Sequence, residues 1–574
     1  MRRITTGFII ITLCIAFLPL ASRSATTTQR FQTLSSDILE SIQSFYPVHA
    51  TEMGIHSYDH RLADYSSKSV KDMIKKLKDY EVKLHKIKES PLSKDDQIDY
   101  RLIKSNLDIA LLNLDKIRWH RKSPQLYVDE AINGVYSLML SQHAPESERL
   151  YPIMSRMNAV PELFAVAKKN LSKPPQVWID MSRKSLETAI DFYQQVGSEL
   201  MNKYPDKADD ILKTSTHARE AMNDFITYLG NIQPGDDRAF AIGKQNFDYM
   251  LSHEYFLPID SDSLLALGEQ LLADAQDAYA EYESYVEENF QNGQDSVFVP
   301  KSFARQDVLD YYDWEIRQMK LFTAQAEIAT IPDDIAPLEV VETPPFLRTM
   351  ITSIAYQPAG PFDQNQVGYF YVRPIPQDID RAQLEARYRY VDRRGFRGSV
   401  VHEGYPGHHL QMQIAARQSD TIRKWQTNTM LIEGWALYSE EQVYHDGLYG
   451  AEDPMKWLGV LRGIRFRAAR IVADVKLSTG QFSYAECVDW MSKALGVDSE
   501  SGREFVSGEV LRYTTTPTIQ MSYLMGKREI QMLREAVEER DGDGFSELAF
   551  HNAILGQGSI PPTMLWDILG LERP

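Results

Sequence analysis

The densest group of chemically versatile side chains lies in Val401–Leu410, which reads VHEGYPGHHL. This segment holds His402, Glu403, His408 and His409, although the chain of 574 residues contains only 13 histidines. Zinc hydrolases use this order of residues: neutral imidazoles bind the metal, and the Glu beside the first His accepts a proton from the water that the metal activates. The segment therefore predicts a hydrolytic metal centre, and a His-rich turn without metal is the alternative.

The spacing of these histidines departs from the usual motif, in which the second His follows the first by four residues on one helix face. Pro406 occupies that position here, and His408 is six residues from His402, about 120° away on a straight helix. Pro406 interrupts helical hydrogen bonding, and Gly407 tolerates unusual dihedral angles. We therefore expect a bulge that absorbs two residues and restores the i, i+4 relation. His409 would then point elsewhere, towards substrate or a carboxylate.

A third ligand is expected at Glu433, in the segment LIEGWALYSEE, which reads as the largely apolar start of a helix. Burying a bare carboxylate is costly, so this side chain needs either a cation or a nearby arginine. The separation from His408 leaves room for one helix, a turn and the start of the next. We predict that His402, His408 and Glu433 hold Zn²⁺ and that Glu440, two helical turns after Glu433, orients a ligand.

Several blocks of the chain resemble the bacterial family known as domain of unknown function 885 (DUF885). These blocks read YPVHATEMGIHSYDHRLADYS, HEGYPGHHLQ, EGWALYSEE, RYTTTPTIQMSYLMGKREI and FHNAILGQGSIPPTMLWDIL. In this family the residue at position 408 is regularly His, whereas position 409 varies. Many members also carry a His in a block reading DTGLH, where this chain has Ser478. The resemblance therefore supports His408 as a ligand and leaves the effect of Ser478 on activity open.

The resemblance also implies a fold and further site residues, because DUF885 is similar to helical zinc peptidases such as angiotensin-converting enzyme, thimet oligopeptidase and the thermostable carboxypeptidases. It implies a mostly α-helical, zincin-like protein with two helical subdomains around an active-site cleft and a small β-sheet beside the metal. The segment Val367–Val372 would be the edge strand on which substrate backbone adds. Tyr523 would bind the oxyanion, with Arg512 or Tyr513 as its companion.

The N-terminal segment, residues 1–25, has the features of an export signal. Arg2 and Arg3 precede an apolar core that is short for a membrane span, and small residues follow as a cleavage site. Cys14 follows a leucine rather than a small residue, which disfavours lipoprotein processing. Cleavage would leave Cys487 as the single cysteine and exclude disulfides. The expected location is periplasmic or secreted.

The elements that would position the site are predominantly helical. We predict an N-terminal helical subdomain over residues 26–245 and a catalytic subdomain with a small sheet over residues 246–574. His120 and His143 are expected to be surface or packing residues. The formal net charge of −18, without a basic run interleaved with aromatics, disfavours nucleic acid as a partner.

Together these features predict an exported zinc metallopeptidase acting on short peptides, with Glu403 as general base. The exact cleavage mode (oligopeptidase, carboxypeptidase or dipeptidase) stays open, as does the oligomeric state. A zinc hydrolase of non-peptide amides or esters would use the same residues. An extracytoplasmic binding protein with a degenerate site is the other alternative, suggested by the Pro406–Gly407 interruption and by Ser478.

Overall fold

A computed structural model describes residues 26–289, 305–344, 354–374, 393–450 and 453–574, so the predicted export signal lies outside the described residues. The protein is mostly α-helical, as predicted. The helices that precede the sheet are α1 (Thr27–Phe45), α2 (Pro47–Glu52), α3 (Ser67–Leu84), α4 (Lys94–Leu111), α5 (Trp119–Lys122), α6 (Pro124–Leu140), α7 (Glu146–Asn170), α8 (Gln176–Lys203), α9 (Ala208–Asn231), α10 (Lys244–His253), α11 (Ser261–Asn289) and α12 (Arg305–Gln325).

The second half of the chain carries the helices that build the candidate site. They are α13 (Arg393–Glu403), α14 (His408–Ala415), α15 (Thr421–Trp425), α16 (Thr429–His445), α17 (Pro454–Ser478), α18 (Tyr484–Leu495), α19 (Glu500–Tyr513), α20 (Ile519–Asp541), α21 (Glu547–Leu555) and α22 (Leu565–Ile568). None of the described helices is both long and apolar enough to cross a membrane.

Side-chain caps fix where the central helices begin. The side chain of Asn428 accepts the N–H of Met430 at 3.1 Å at the start of α16. At the start of α17, the side chain of Asp453 accepts the N–H of Lys456 at 3.1 Å, and Pro454 occupies the first helical position, where no N–H is needed. These caps satisfy N–H groups that have no partner inside their own helix.

The described strands form one small sheet in the order β1–β3–β2, where β1 is Leu338–Glu342, β2 is Ile354–Gln357 and β3 is Gly368–Val372. Strand β1 runs parallel to β3, and β2 runs antiparallel to it. The predicted strand at 367–372 is therefore present, but its expected position at a sheet edge is wrong. It is the central strand because both of its sides already have hydrogen-bonded neighbours.

The hydrophobic core crosses the predicted boundary between residues 245 and 246. The largest core cluster joins Phe31 and Leu186 of the N-terminal helices to Val401 and Trp435 around the histidine motif. A second cluster likewise contains residues from both sides of that boundary. The core therefore does not separate at this position, and the division into two subdomains stays a prediction.

Candidate active site

The helix that carries His402 is interrupted where the sequence predicts a bulge. Helix α13 ends at Glu403, and α14 begins at His408. Between them the N–H of Gly407 donates to the carbonyl of Val401 at 3.0 Å, six residues back instead of the four of a regular α-helix. Two residues are thus absorbed, which gives His408 the place relative to His402 that an i+4 residue would have.

Close backbone contact explains the glycine in this interruption. A Cβ atom on Gly407 would lie 2.0 Å from the carbonyl oxygen of His402 and 2.3 Å from that of Val401. No side chain fits there, because both obstructing atoms belong to the backbone. The indole N–H of Trp435 donates to the Pro406 carbonyl at 2.8 Å, which fixes the interruption against helix α16.

His402, His408 and Glu433 converge on one point. The Oε2 atom of Glu433 lies 3.7 Å from Nε2 of His402 and 3.5 Å from Nε2 of His408. A tetrahedral zinc with bonds of 2.0–2.1 Å has ligand–ligand edges of about 3.3–3.4 Å, close to both separations. Within the described residues this buried Oε2 atom has no hydrogen-bond partner, and no arginine pairs with Glu433. The donor set therefore fits a zinc ion.

The second ring nitrogen of His402 is held by a carboxylate. Its Nδ1 atom donates to Oε1 of Glu440 at 2.8 Å, and an Arg467 nitrogen lies 4.0 Å from the same oxygen. Burial opposes the charged forms, but the Glu433 and Glu440 carboxylates raise the pKa of His402 to about 10, and His402 lowers the pKa of Glu440 to about 2. Glu440 thus occupies the orienting position that the sequence suggests, with Nε2 of His402 turned to the cluster.

A glycine-to-glycine helix crossing places Tyr523 beside the cluster. A Cβ atom on Gly526 of α20 would lie 1.8 Å from the carbonyl oxygen of Met430, and one on Gly434 of α16 would lie 2.5 Å from the Gly526 carbonyl carbon. The two backbones can therefore approach only through glycines. Burial, and then the neighbouring Glu433 carboxylate, raise the pKa of Tyr523.

The other predicted oxyanion groups lie one layer behind Tyr523. The Arg470 guanidinium carbon lies 4.0 Å from the Tyr523 ring centroid and 5.4 Å from that of Tyr513. The Tyr513 hydroxyl and an Arg512 N–H both donate to Oε2 of Glu509 at 2.8 Å. Tyr513 and Arg512 are thus engaged with Glu509, and a role for either in catalysis stays a prediction.

Glu403 ends helix α13 directly after the first histidine and is partly exposed. Within the described part of the chain, its carboxylate has no hydrogen-bond or ion-pair partner. Burial, with smaller contributions from Tyr405 and the Glu403 charge, raises the pKa of Tyr356 in strand β2. A carboxylate beside the cluster, with no partner among the described residues, has the placement that a general base requires.

His409 does not point to substrate or to a carboxylate, contrary to the sequence-based expectation. Its ring is fully buried, its Nε2–H donates to the carbonyl of Ala336 at 3.0 Å, and its Nδ1 accepts from the Tyr356 hydroxyl at 3.2 Å. Burial lowers the pKa of His409 to about 4, which keeps the ring neutral. His409 therefore ties α14 to the sheet, an outcome that depends on tertiary contacts absent from the local sequence.

Comparison with known proteins places the chain in a family. The family model described as "Bacterial protein of unknown function (DUF885)" matches residues 47–569. The chain belongs to the DUF885 family. No curated protein matches this chain significantly.

Two solved structures share the fold. The structure of a predicted lipoprotein of unknown function from Shewanella oneidensis matches with a TM-score of 0.75 and 20% identity, over 95% of this chain and 100% of that chain. The structure of a predicted lipoprotein from Colwellia psychrerythraea matches with a TM-score of 0.75 and 17% identity, over 95% of this chain and 99% of that chain. At such identities the likeness concerns the fold.

In this DUF885 chain, the serine that replaces the DTGLH histidine has a local partner. The buried Ser478 hydroxyl donates to Oδ1 of Asp474 at 3.1 Å. Asp474 also accepts the N–H of Thr518 at 3.0 Å and the N–H of Met521 at 3.1 Å, at the start of helix α20. Ser478 thus supports the group that caps the helix carrying Tyr523, and its side chain is directed at Asp474.

A second group of chemically versatile residues was missed by sequence reasoning. His56, Asp59 and His143 also bring possible ligand atoms together, although His143 was expected to be a surface or packing residue. The spacing of His56 and Asp59, three residues apart, was the available signal. It stayed unnoticed because His143 lies far along the chain and has no motif around it.

Proposed function

We propose that this DUF885 protein is an exported zinc-dependent metallohydrolase that cleaves peptide bonds of short peptides. The observation that carries the proposal is the convergence of His402 and His408 on a buried Glu433 oxygen that has no hydrogen-bond partner among the described residues. Two imidazoles and one carboxylate leave a fourth tetrahedral position open, as catalytic zinc sites require.

The chain's own residues divide the chemistry between them. When bound, Zn²⁺ would polarise the scissile carbonyl and lower the pKa of water towards neutrality. Glu403 would accept the proton of the attacking water and deliver it to the departing amine. Tyr523 would donate its hydroxyl proton in a hydrogen bond to the tetrahedral oxyanion, and Arg470 would hold the Tyr523 ring in place.

Substrate binding would use the cleft beside the sheet in a zincin-like arrangement. Because β3 is central, the strand that adds substrate backbone has to be an edge strand of the described sheet. We favour β2, because its Tyr356 is hydrogen-bonded to His409 and because the charge of Glu403 contributes to the raised pKa of Tyr356. An extended short peptide on β2 would then pass next to the general base.

An extracytoplasmic location agrees with this activity. The first 25 residues have the composition of an export signal. The two structural relatives are predicted lipoproteins. Such enzymes would meet peptides outside the cytoplasm, and neither nucleic acid nor stable membrane insertion is part of the proposal.

The decisive experiment is a peptide-library digest by the purified mature protein, read by mass spectrometry. We expect cleavage of short peptides that stops after chelation and returns with Zn²⁺. The variant Glu403→Gln serves as the control for a contaminating peptidase, because it should retain the metal without turnover. Parallel assays with non-peptide amides and esters test the related hydrolase.

The outcomes separate the three candidate functions. Zinc-dependent cleavage of esters or non-peptide amides, with intact peptides, would move the protein to another class of hydrolase. A protein that binds no zinc and cleaves neither class would be a binding protein with a degenerate site.

A further inference from the structure

We propose a binding site for a small amino compound, one that carries an ammonium group next to a carbonyl oxygen, in the cavity between helices α1 and α4 and the start of α16. The cavity has a volume of about 240 Å³. Its acidic residue is Glu254, which directly follows α10. The site shares no residue with the cluster around Glu433, so the proposal does not depend on the proposed peptidase activity.

The carboxylate of Glu254 makes no hydrogen bond or ion pair within the described part of the chain. Its Oε2 atom is buried. Burial raises the pKa of this carboxyl to about 7. A buried polar group without a partner costs free energy, and an ammonium group is the partner that would favour the charged carboxylate.

A second unpartnered group lines the same cavity. Nδ2 of Asn106, on α4, is buried and has no hydrogen-bond partner among the described residues. This amide nitrogen is a donor, whereas the Glu254 carboxylate is an acceptor. A single ligand that satisfies both must therefore present a donor and an acceptor, and an ammonium group beside a carbonyl oxygen provides both.

The other amide side chains of the lining are already used by the fold. Asn113, Gln426 and Asn428 each make a hydrogen bond of 2.8–3.1 Å. Their partners are an indole N–H, a backbone carbonyl and a backbone N–H. Glu254 and Asn106 differ from them because their side chains do not support any element of the fold.

The rest of the lining suits the apolar part of such a ligand. Aliphatic and aromatic side chains form much of the wall, among them Ile42, Leu102, Ile109 and Trp425. An apolar cavity of about 150 Å³ is large enough to bind benzene, so an aliphatic side chain fits here beside the polar end of the ligand. A bare metal ion would leave both the apolar wall and the amide donor without a partner.

The cavity is reachable from solvent and adjoins the helix that carries Glu433. His49 belongs to the lining, and its side chain is 46% exposed. The backbone carbonyl of Glu254 accepts Nδ2 of Asn428 at 3.3 Å, and Asn428 caps α16. A ligand in the cavity would thus contact α4 and the start of α16 together, so its binding should raise Tm.

The test is isothermal titration calorimetry of the purified mature protein with L-leucinamide, which carries an ammonium group, a carbonyl oxygen and an aliphatic side chain. The background is His402→Ala, which removes a predicted zinc ligand and so prevents hydrolysis of the probe. We expect one leucinamide per chain. The analogue 4-methylpentanamide lacks only the ammonium group and should bind roughly 10–100-fold more weakly.

Two variants in the same background locate the ligand. Glu254→Gln should weaken leucinamide binding by roughly 10–100-fold, because a charge-assisted hydrogen bond is lost. Asn106→Leu removes a neutral hydrogen bond and should weaken it by roughly 2–10-fold. Neither variant should lower Tm of the ligand-free protein. The matched control is Glu220→Gln, an exposed change on α9 that should leave binding unaltered.

The proposal is overturned if leucinamide does not bind, or if 4-methylpentanamide binds equally well, since the cavity would then accept no ammonium group. It is equally overturned if Glu254→Gln binds leucinamide as tightly as its parent, because the ligand would then lie elsewhere. A fall of the ligand-free Tm in both variants would make the two side chains part of the packing of the fold and would also contradict it. Absence of peptidase activity in the wild type would not alter these results, which are obtained without His402.

Discussion

The cluster of side chains around Glu433 and the cluster around Asp59 differ in how their polar atoms are hydrogen-bonded. Around Glu433, the carboxylate oxygen between two imidazoles is buried and has no hydrogen-bond partner among the described residues. Around Asp59, every ligand side chain is already hydrogen-bonded, and His56 lies between two carboxylates. The first arrangement is costly without a cation, whereas in the second His56 is hydrogen-bonded to a carboxylate on each side and needs no metal.

This difference relates to the chemistry that each cluster can perform. The first has a carboxylate at Glu403 and a hydroxyl at Tyr523 beside it, so a reacting group would meet both a base and a hydrogen-bond donor. In the second, the neighbouring groups are directed at His56, Asp59 and His143 themselves, and the two imidazole rings stack 3.5 Å apart, which leaves little for a substrate. The proposal of catalysis therefore concerns the first cluster alone.

The largest expected effect separates adjacent histidines. His408→Ala should remove zinc from the first cluster completely, because two remaining ligands would hold the metal weakly. His409→Ala should keep that zinc, since the His409 ring binds Ala336 and Tyr356 instead. Zinc content after dialysis is the measurement, and loss from His409→Ala with retention in His408→Ala would reverse the assignment.

Removal of the base tests whether the first cluster performs chemistry beyond metal binding. Glu403→Gln should lower kcat by roughly 10²–10⁴-fold, because the amide keeps the shape of the side chain but accepts no proton. The first cluster should retain zinc. Glu535→Gln, an exposed change on α20, is the matched control. Near-normal turnover in Glu403→Gln would exclude this residue as the base.

The oxyanion donor should have the next largest effect. Tyr523→Phe should lower kcat by roughly 10²–10³-fold, since one hydrogen bond to the transition state is lost. KM should change little, because that bond strengthens only as charge develops on the carbonyl oxygen. Steady-state kinetics beside the control Tyr151→Phe, at a residue 71% exposed, provide the measurement. A change confined to KM would make Tyr523 a substrate-binding residue.

The smallest expected effect concerns Glu440, which accepts a hydrogen bond from the predicted ligand His402. Glu440→Gln should weaken zinc binding at the first cluster by roughly 10–100-fold, because His402 would lose the acceptor of its Nδ1–H. Competition with a zinc-binding dye measures the affinity, and Tm of the metal-free protein is the control. A marked fall in that Tm would mean that Glu440 acts on the whole fold rather than on His402.

The sequence was informative wherever function depended on neighbours along the chain. The Pro406–Gly407 pair and the six-residue histidine spacing predicted an interruption that absorbs two residues, and the hydrogen bond from Gly407 to Val401 has that offset. The mostly helical fold and the DUF885 family are also confirmed.

Long-range pairing was beyond the reach of sequence reasoning. Strand β3 was predicted from its own residues. Its central position in the sheet could not be predicted, because the short strands β1 and β2 lie on either side of it only after folding. The partners of His409 and the union of His56 with Asp363, 307 residues apart, likewise depend on tertiary packing. Spacing carries information about a helix face but not about which distant loop will meet it.

The contact between Gly434 and Gly526 has a consequence for how the enzyme would work over a catalytic cycle. Two backbones touch there without intervening side chains. We therefore expect α16 and α20 to move as one body and Glu433 and Tyr523 to keep their separation. Substrate binding energy is then not consumed in bringing the two groups together, since they are preorganised before any encounter. Opening and closing of a cleft would have to occur elsewhere in the chain and could set the rate of product release without disturbing this pair.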